Sequence, residues 1–140
     1  MPKMIDPFLL DNGEKYPYSA SMFPIKNEKH LLLVEEKLDK DLRYKHFLID
    51  ELYEVKSDTL VNLVKKIMTQ LFDDNVLLGY GVLGNRKSST KKDFLELNIC
   101  GVVFSAIMSR SRYEGSYEEI ERKIKAHLSQ SSYRVFRQSS

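Results

Sequence analysis

Residues 60–71 read LVNLVKKIMTQL and carry the clearest helical pattern in the chain. Apolar residues recur at intervals of three and four, while Lys65, Lys66 and Gln70 take the opposite face, which predicts an amphipathic helix with one buried stripe. The stripe consists of Leu60, Leu63, Val64, Ile67, Met68 and Leu71. Because such a stripe must be covered by other elements, the helix is predicted to belong to a bundle.

Two helical patterns precede this segment. Asn27 is predicted to cap a helix that runs to about Asp41, with Leu31, Val34 and Leu38 on one side. A second helix is predicted over residues 42–55, either continuous with the first or separated from it by a break at residues 39–41. The positions of the second helix that are predicted to face inward are Leu42, Leu48, Leu52 and Val55.

Polar residues bracket the quoted helix. Ser57 and Asp58 are predicted to begin it, and Asp73-Asp74 is predicted to end it and to cap a short helix at residues 75–78. Glycines then break the helical pattern, and residues 85–92 are predicted to form an exposed, basic loop.

Two more helices are predicted in the second half of the chain. Asp93 is predicted to cap an all-round apolar helix, which belongs in the centre of a bundle. Its β-branched residues leave a strand over 100–104 as the alternative, but the length of the apolar run favours a helix. Ser116 and Glu119 form a capping box for the last helix, whose buried stripe is Ile120, Ile124 and Leu128.

The fold class predicted from these patterns is all-α, a compact bundle of five or six helices with an extended N-terminal arm. Residues 1–23 have no sustained period and contain three prolines, so they are assigned to the arm. Residues 24–130 form the helical domain, and residues 131–140 form a Ser-rich C-terminal tail. The predicted core residues are Leu63, Ile67, Leu71, Val103, Ile107, Ile120 and Ile124.

Length and composition exclude several classes of protein. The 140 residues suffice for one domain, and a content of 42% hydrophobic and 30% charged residues is typical of a folded chain. A single cysteine, Cys100, excludes an internal disulfide framework and a cysteine-based zinc finger, and it fits a reducing compartment. No apolar run approaches the ~20 residues that a membrane span requires, so no span is predicted. The acidic residue Asp6 interrupts the N-terminal segment after five residues, so no signal peptide is predicted either.

Charge is distributed unevenly along the chain. Residues 1–75 carry 11 basic and 14 acidic residues, a balance of −3, and residues 76–140 carry 11 basic and 6 acidic residues, a balance of +5. This asymmetry is typical of a surface that faces an anion, although a merely solvated lysine-rich surface remains the alternative. The basic residues predicted to contact nucleic acid are Arg86, Lys87, Lys91, Lys92, Arg110, Arg112, Arg122, Lys123 and Lys125.

Two glycine-containing patterns are tested and rejected as cofactor sites. Residues 79–84 match G-x-G-x-x-G, but a dinucleotide site needs a strand before the glycines and a helix directly after them, whereas a helix precedes and a polar loop follows here. These glycines are instead predicted to end a helix in a tight turn. Residues 81–88 approach a phosphate-binding loop, but Arg86 stands where the second glycine of that motif is required.

Residues able to bind metal or perform catalysis are scattered. No pair among His30, His46 and His127 has metal-ligand spacing. Cys100 lies within the most apolar helix, where burial raises the pKa of a thiol, so it is predicted to be structural. We therefore expect no catalytic residue, no metal site, no cofactor and no enzymatic activity.

An ordered set of short segments resembles a domain of unknown function found near the C-termini of animal, especially arthropod, proteins. That family often accompanies DNA-binding fingers or transposon-derived segments. The resemblance covers about residues 22–134. The segments that carry it are residues 22–26 (MFPIK), 31–38 (LLLVEEKL), 63–74 (LVKKIMTQLFDD), Gly84, 91–94 (KKDF), 97–100 (LNIC) and 118–121 (EEIE).

The same layout is similar to the BEN domain, a compact helical module of chromatin and transcription factors. The shared features are a helix that ends in Leu-Phe and acidic residues, a glycine-containing loop, a central apolar helix and a short final helix. BEN domains contact DNA through basic residues near their last helix and the adjoining loops. The resemblance therefore implies DNA contacts at Arg122, Lys123 and Lys125, with Arg110 and Arg112 before them.

The function expected from the sequence is that of a non-enzymatic nuclear module that binds DNA or chromatin proteins through a basic face, with no membrane partner and no small-molecule substrate. The alternative is a protein-interaction or homodimerisation module of a chromatin or transcription regulator. It is favoured by aromatic and apolar residues in excess of what one small core needs. These residues are Tyr16, Tyr18, Tyr44, Phe47, Tyr53, Tyr80, Tyr113, Tyr117, Tyr133 and Phe136.

Overall fold

A computed structural model describes residues 23–82, 91–110 and 117–138 of the chain. Its helices are α1 (Glu28–Lys40), α2 (Leu42–Tyr53), α3 (Leu60–Leu71), α4 (Asp74–Leu77), α5 (Asn98–Met108), α6 (Tyr117–Ser129) and α7 (Ser131–Gln138). The predicted all-α class and the compact helical bundle are confirmed. The predicted N-terminal arm lies outside the described residues, apart from Phe23.

The first two helices are separated by a break at Asp41. Asn27 caps α1 as predicted, because its Oδ1 accepts a hydrogen bond from the His30 amide at 2.8 Å. The Asp41 amide donates to the Lys37 carbonyl at the end of α1, and the Asp41 side chain accepts from the Tyr44 amide at the start of α2. One extended residue therefore ends one helix and begins the next.

The predicted inward position of Leu42 is wrong, since this side chain is 66% exposed. The buried stripe of α2 is Tyr44, Leu48 and Leu52, spaced by four residues. Leu42 lies six residues before Leu48 and so falls on a different side of the helix. Leu48 and Leu52 are buried as predicted, and Val55, just beyond α2, is partly buried.

The start of α3 also differs from the prediction. Thr59 caps this helix, its Oγ1 accepting from the Asn62 amide at 3.2 Å, so Ser57 and Asp58 precede the helix instead of beginning it. Its end agrees with the prediction, because the Asp73 carboxylate accepts from the Asn75 amide at 3.0 Å and caps the short helix α4.

Two short backbone pairings hold the connections around α3 and α4. Ile25 pairs with Phe72 in a parallel bridge, in which the Ile25 amide donates to the Leu71 carbonyl at 2.8 Å. Strands β1 (Tyr80–Gly81) and β2 (Lys92–Asp93) form a parallel pair with Tyr80 opposite Lys92. The sequence did not predict these pairings. Gly79 follows α4 and Gly81 lies in β1, so a helix precedes both glycines, whereas a dinucleotide site needs a strand before them.

The central apolar segment is a helix, which excludes the alternative strand over 100–104, but Asp93 is not its cap. The Asp93 carboxylate accepts from the Leu95 amide and caps a turn of 3₁₀ helix at Phe94–Glu96. The start of α5 is capped from another helix: Glu35 of α1 accepts from the amides of Asn98 at 2.7 Å and Ile99 at 2.8 Å.

The core lies between α5 and the surrounding helices. The main packed pairs are α2 with α5, α3 with α6, α4 with α7, and α1 with both α2 and α5. All seven predicted core residues are buried, with exposed fractions of 1% or less. Beside them, the Phe94 ring meets the rings of Phe72 and Tyr80 edge-on, with centroids 5.5 and 6.5 Å apart.

Residues 131–138 of the Ser-rich tail form α7, which the sequence analysis did not predict. This helix packs on α4 and α6. The predicted capping box at the start of α6 depends on Ser116, which lies outside the described residues. In the described part of the chain, no helix is both long enough and apolar enough to cross a membrane.

Candidate nucleic-acid interface

Helix α6 presents basic side chains on its outer face. Ile120, Ile124 and Leu128 are buried on its inner face, which fixes the helix against α3 and α5. Arg122 and Lys125, three residues apart, are exposed, and Lys123 is partly exposed. These three cations form no ion pair with any residue in the described ranges. The structure thus places Arg122 and Lys125 on the exposed face of α6 and Lys123 at the edge of that face.

Carboxylates lie one turn before each of these cations. Glu118 precedes Arg122, Glu119 precedes Lys123 and Glu121 precedes Lys125, each by four residues. Such spacing allows transient exposed pairs worth about 0.3–0.5 kcal/mol. That energy is small enough for an anion with several charges to displace the carboxylates.

The two strands that flank the predicted basic loop are connected to α6 through β1. Strand β1 packs against α6, and β2 is joined to β1, with the Lys92 amide donating to the Gly79 carbonyl at 2.9 Å. Val82 and Lys91 adjoin these strands, at the two ends of residues 83–90. Arg86 and Lys87 fall within that segment and outside the described residues, whereas Lys91 is exposed.

Lys92 is occupied by a contact within the protein. Its Nζ is 2.9 Å from Oε1 of Glu28, and the Tyr80 hydroxyl donates to the same oxygen at 2.9 Å. Partial burial acts to raise the pKa of Glu28, but the hydrogen bonds from Lys92 and Tyr80 outweigh it and lower that pKa. Burial, and then the Glu28 carboxylate, raise the pKa of the Tyr80 hydroxyl. Lys92 therefore serves first to neutralise Glu28.

Arg110 joins the ends of two helices. Its Nη2 donates to the Leu52 carbonyl at 2.7 Å, its Nε donates to the Ala106 carbonyl at 3.2 Å, and its guanidinium lies 5.0 Å from the centre of the Tyr53 ring. These contacts hold the guanidinium between α2 and α5. Arg110 is therefore better suited to stabilising the ends of these helices than to contacting a bound ligand. Arg112, the other candidate of this pair, lies outside the described residues.

The aromatic residues that favoured an interaction module divide into three groups. Tyr44 and Tyr80 are buried and Phe47 is partly buried, so these belong to the core or its edge. Tyr16, Tyr18 and Tyr113 lie outside the described residues. The remaining ones are exposed and include Tyr133, at 68%, and Phe136, at 74%, both on α7. The Tyr117 ring stacks on Phe104 with centroids 4.2 Å apart, and Tyr53 lies under Arg110.

Cys100 and His127 are buried groups whose pKa values are shifted by burial. Burial, with smaller contributions from Asp93, Glu121 and Glu35, raises the pKa of the Cys100 thiol to about 12, as its predicted structural role requires. Burial lowers the pKa of His127 to about 4, with the Arg134 charge acting in the same direction. Across residues 23–82, 91–110 and 117–138, no group of three or more His, Cys, Asp or Glu side chains is arranged to hold a metal ion.

The geometry described above defines a small helical domain with a basic outer helix. Residues 18–108 match the family described as Domain of unknown function (DUF4806), and the chain belongs to this family. This confirms the predicted resemblance to an uncharacterised domain family. The matched segment runs to the end of α5, so α6 and α7 follow it in the chain. No curated protein and no solved structure matches the chain.

Proposed function

We propose that this domain binds DNA in the nucleus, without enzymatic activity, through the basic surface formed by α6 and the loop that joins β1 to β2. The observation that carries the proposal is that Arg122 and Lys125 are exposed on α6 and form no ion pair with any residue that the structure describes, while β1 packs on the same helix. The resemblance to BEN domains supports it, because basic residues near the last helix contact DNA in those domains.

The chemistry of the surface suits a phosphate backbone. Arg122 and Lys125 project from a helix whose inner face is fixed in the core, so binding does not require the helix to be ordered first. Arg and Lys contacts to phosphates supply most of the affinity of sequence-independent DNA binding and make it dependent on salt. Lys92 and Arg110 contribute less in this proposal, because contacts within the protein already engage both side chains.

A fluorescence-anisotropy titration with a duplex of about 20 base pairs, at salt between about 50 and 200 mM, tests the proposal. The wild-type chain is expected to bind, with an affinity that falls steeply as salt increases. Arg122→Ala/Lys125→Ala is expected to weaken binding on all sequences and to reduce the log–log salt slope by about two units.

A matched control removes the same charge elsewhere. Arg43 on α2 and Lys56 after it are both exposed, and α2 packs mainly on α1 and α5. The variant Arg43→Ala/Lys56→Ala should bind the duplex as the wild type does. If the wild type binds no duplex at low salt, or if both double variants lose the same affinity, the proposed DNA-binding surface is wrong.

The second candidate function is protein interaction or homodimerisation, favoured by the aromatic side of α7. Tyr133 and Phe136, three residues apart, are the most exposed large apolar side chains of the described residues. Light scattering at several protein concentrations, with and without duplex, separates the two candidates. An increase in mass with protein concentration that Tyr133→Ser abolishes, in a chain that binds no duplex, would favour the interaction module.

A further inference from the structure

Helix α7 follows α6 after a single residue, Gln130, and side chains of α7 hold it at that junction. The buried Ser131 hydroxyl donates to the Leu128 carbonyl at 2.7 Å. The Arg134 Nη2 donates to the His127 carbonyl at 2.8 Å. Both acceptors belong to the last turn of α6, so the attachment of α7 to α6 depends on that turn.

The imidazole of His127 is buried in this turn without a hydrogen bond to one of its nitrogens. The residue is 8% exposed, and its Nε2 has no hydrogen-bond partner within the ranges that the structure describes. A protonated ring carries an N–H on both nitrogens. Protonation would therefore bury a positive charge together with a donor that lacks an acceptor, which is costly unless the surroundings change.

The charges around His127 also favour the neutral ring. Burial lowers the pKa of His127 to about 4, and the cations Arg134 of α7 and Lys65 of α3 act in the same direction, against Asp74 of α4. The other elements in close contact with α6 are β1 and α5, whose titratable residues are Tyr80 and Cys100. The one carboxylate in this set is already engaged, since Asp74 Oδ1 lies 2.8 Å from Arg134 Nε.

Arg134 is the charged group that an opening of α7 would remove. Its guanidinium bridges the Asp74 carboxylate and the His127 carbonyl, at 2.8 Å from each, so these two residues lie within reach of the same side chain. When α7 moves away, the carboxylate loses its cation and the imidazole loses a neighbouring positive charge. Asp74 then becomes available as a partner for a protonated His127.

We propose that α7 is an acid-sensitive switch: protonation of His127 releases α7 from α4 and α6, and Asp74 exchanges Arg134 for the imidazolium, while the core around α3 and α5 stays folded. The closed state pairs Arg134 with Asp74 beside a neutral ring. The open state takes up a proton, so opening becomes more favourable as pH decreases from 7 toward 5. Opening also uncovers the part of α4 on which α7 packs.

Titration of His127 in the full chain, followed by NMR of the imidazole, tests the link to Arg134. The wild type should show a pKa well below the ordinary 6.5, and Arg134→Ala, which releases α7, should bring it to about 6.5 or higher. Adding Asp74→Asn to that variant should lower the pKa again, because the partner of the imidazolium is lost. Ser132→Ala, at an exposed position of α7, should titrate as the wild type does. The same low pKa in Arg134→Ala as in the wild type would overturn the proposal.

Hydrogen exchange measures the opening itself, and it needs only the wild type. After correction for the intrinsic pH dependence of amide exchange, the opening constant of the α7 amides should increase about twentyfold between pH 7 and pH 5, with little dependence on denaturant. His127→Gln should abolish the increase, and His46→Gln, at an exposed histidine of α2, should keep it. An opening constant that does not change with pH would overturn the proposal. So would α7 amides that open with the same constant and the same denaturant dependence as those of α5, because α7 would then open only when the whole domain unfolds.

Discussion

At the scale of single residues, Glu35 connects two helices that are distant in sequence. Its two carboxylate oxygens accept from the amides of Asn98 and Ile99, and the Asn98 side chain donates back to the Glu35 carbonyl at 3.3 Å. Burial raises the pKa of Glu35 even though the two amide bonds act to lower it. The carboxylate thus satisfies helix-terminal amides that α5 has no cap of its own to satisfy.

Removing this contact is expected to destabilise the fold. Glu35→Ala leaves the Asn98 and Ile99 amides without their acceptor and should lower the free energy of unfolding by about 1–3 kcal/mol. Chemical denaturation measures the change. The neighbouring Glu36→Ala is the control, since Glu36 is exposed and, within the described ranges, pairs with Lys40 one turn away. Equal effects of the two variants would contradict the capping role.

The lowered pKa of His127 predicts how the free energy of unfolding depends on pH. Its pKa falls from the ordinary 6.5 to about 4 in the folded chain. Below about pH 6.5 the unfolded chain takes up a proton that the folded chain does not, so the free energy of unfolding falls as pH decreases toward 4, by about 2–3 kcal/mol from this residue. Denaturation measured across that range should show a shallower dependence for His127→Gln. An unchanged slope in that variant, or the same flattening in the exposed control His46→Gln, would contradict the assignment.

At the scale of elements, Arg134 connects α7 to two other helices. The Arg134 Nε lies 2.8 Å from Oδ1 of Asp74 on α4, and its Nη2 donates to the His127 carbonyl on α6 at 2.8 Å. Both side chains of the ion pair are largely buried, with exposed fractions of 21% and 14%. The guanidinium therefore binds three helices to one another.

Arg134→Ala should release α7 from the rest of the domain. We expect a loss of about 1–3 kcal/mol in the free energy of unfolding, because the Asp74 carboxylate loses its charged partner. Hydrogen exchange should show faster exchange in α7 than in α5, and Ser132→Ala, at an exposed position of the same helix, should change both measurements less. Uniform acceleration across the whole domain would show that α7 does not open separately.

Elements that carry their own signals could be predicted from the sequence, and those decided by distant contacts could not. Asn27 stands directly before an apolar period, so the start of α1 was visible. The start of α5 depends on Glu35, 63 residues away from Asn98, and no local pattern reports it. The β1–β2 pair has two residues in each strand, too few for any alternation to show. In α7, the serines concealed a helix that Arg134 joins to α4 and α6.

At the scale of the whole molecule, α3, α5 and α6 share one core. Ile67 of α3 and Ile107 of α5 are each fully buried. Replacement of either by alanine should lower the free energy of unfolding by about 2–5 kcal/mol, since the surrounding helices close such a cavity only in part. Chemical denaturation gives the value, with Val61→Ala as the exposed control on α3. A loss within about 0.5 kcal/mol at either isoleucine would place it at the surface.

The sequence could identify the basic residues of the candidate site, but it could not show which of them are available to a ligand on the folded surface. Composition pointed to Arg122 and Lys125, and the amphipathic period of α6 placed them outward. Two of the candidates make structural contacts with residues more than 50 positions away, which the sequence alone does not reveal. Lys92 neutralises Glu28, and Arg110 caps the end of α2.

Asp41 carries a consequence for the order in which the chain folds. Because this one residue ends α1 and begins α2, the two helices are joined without a loop, and bringing them together costs little chain entropy. Their mutual contacts are also local in sequence, which is the kind of contact that forms fastest. We therefore expect the contacts of the α1–α2 corner to form early in folding. The buried faces of both helices are completed only when α5 packs on them.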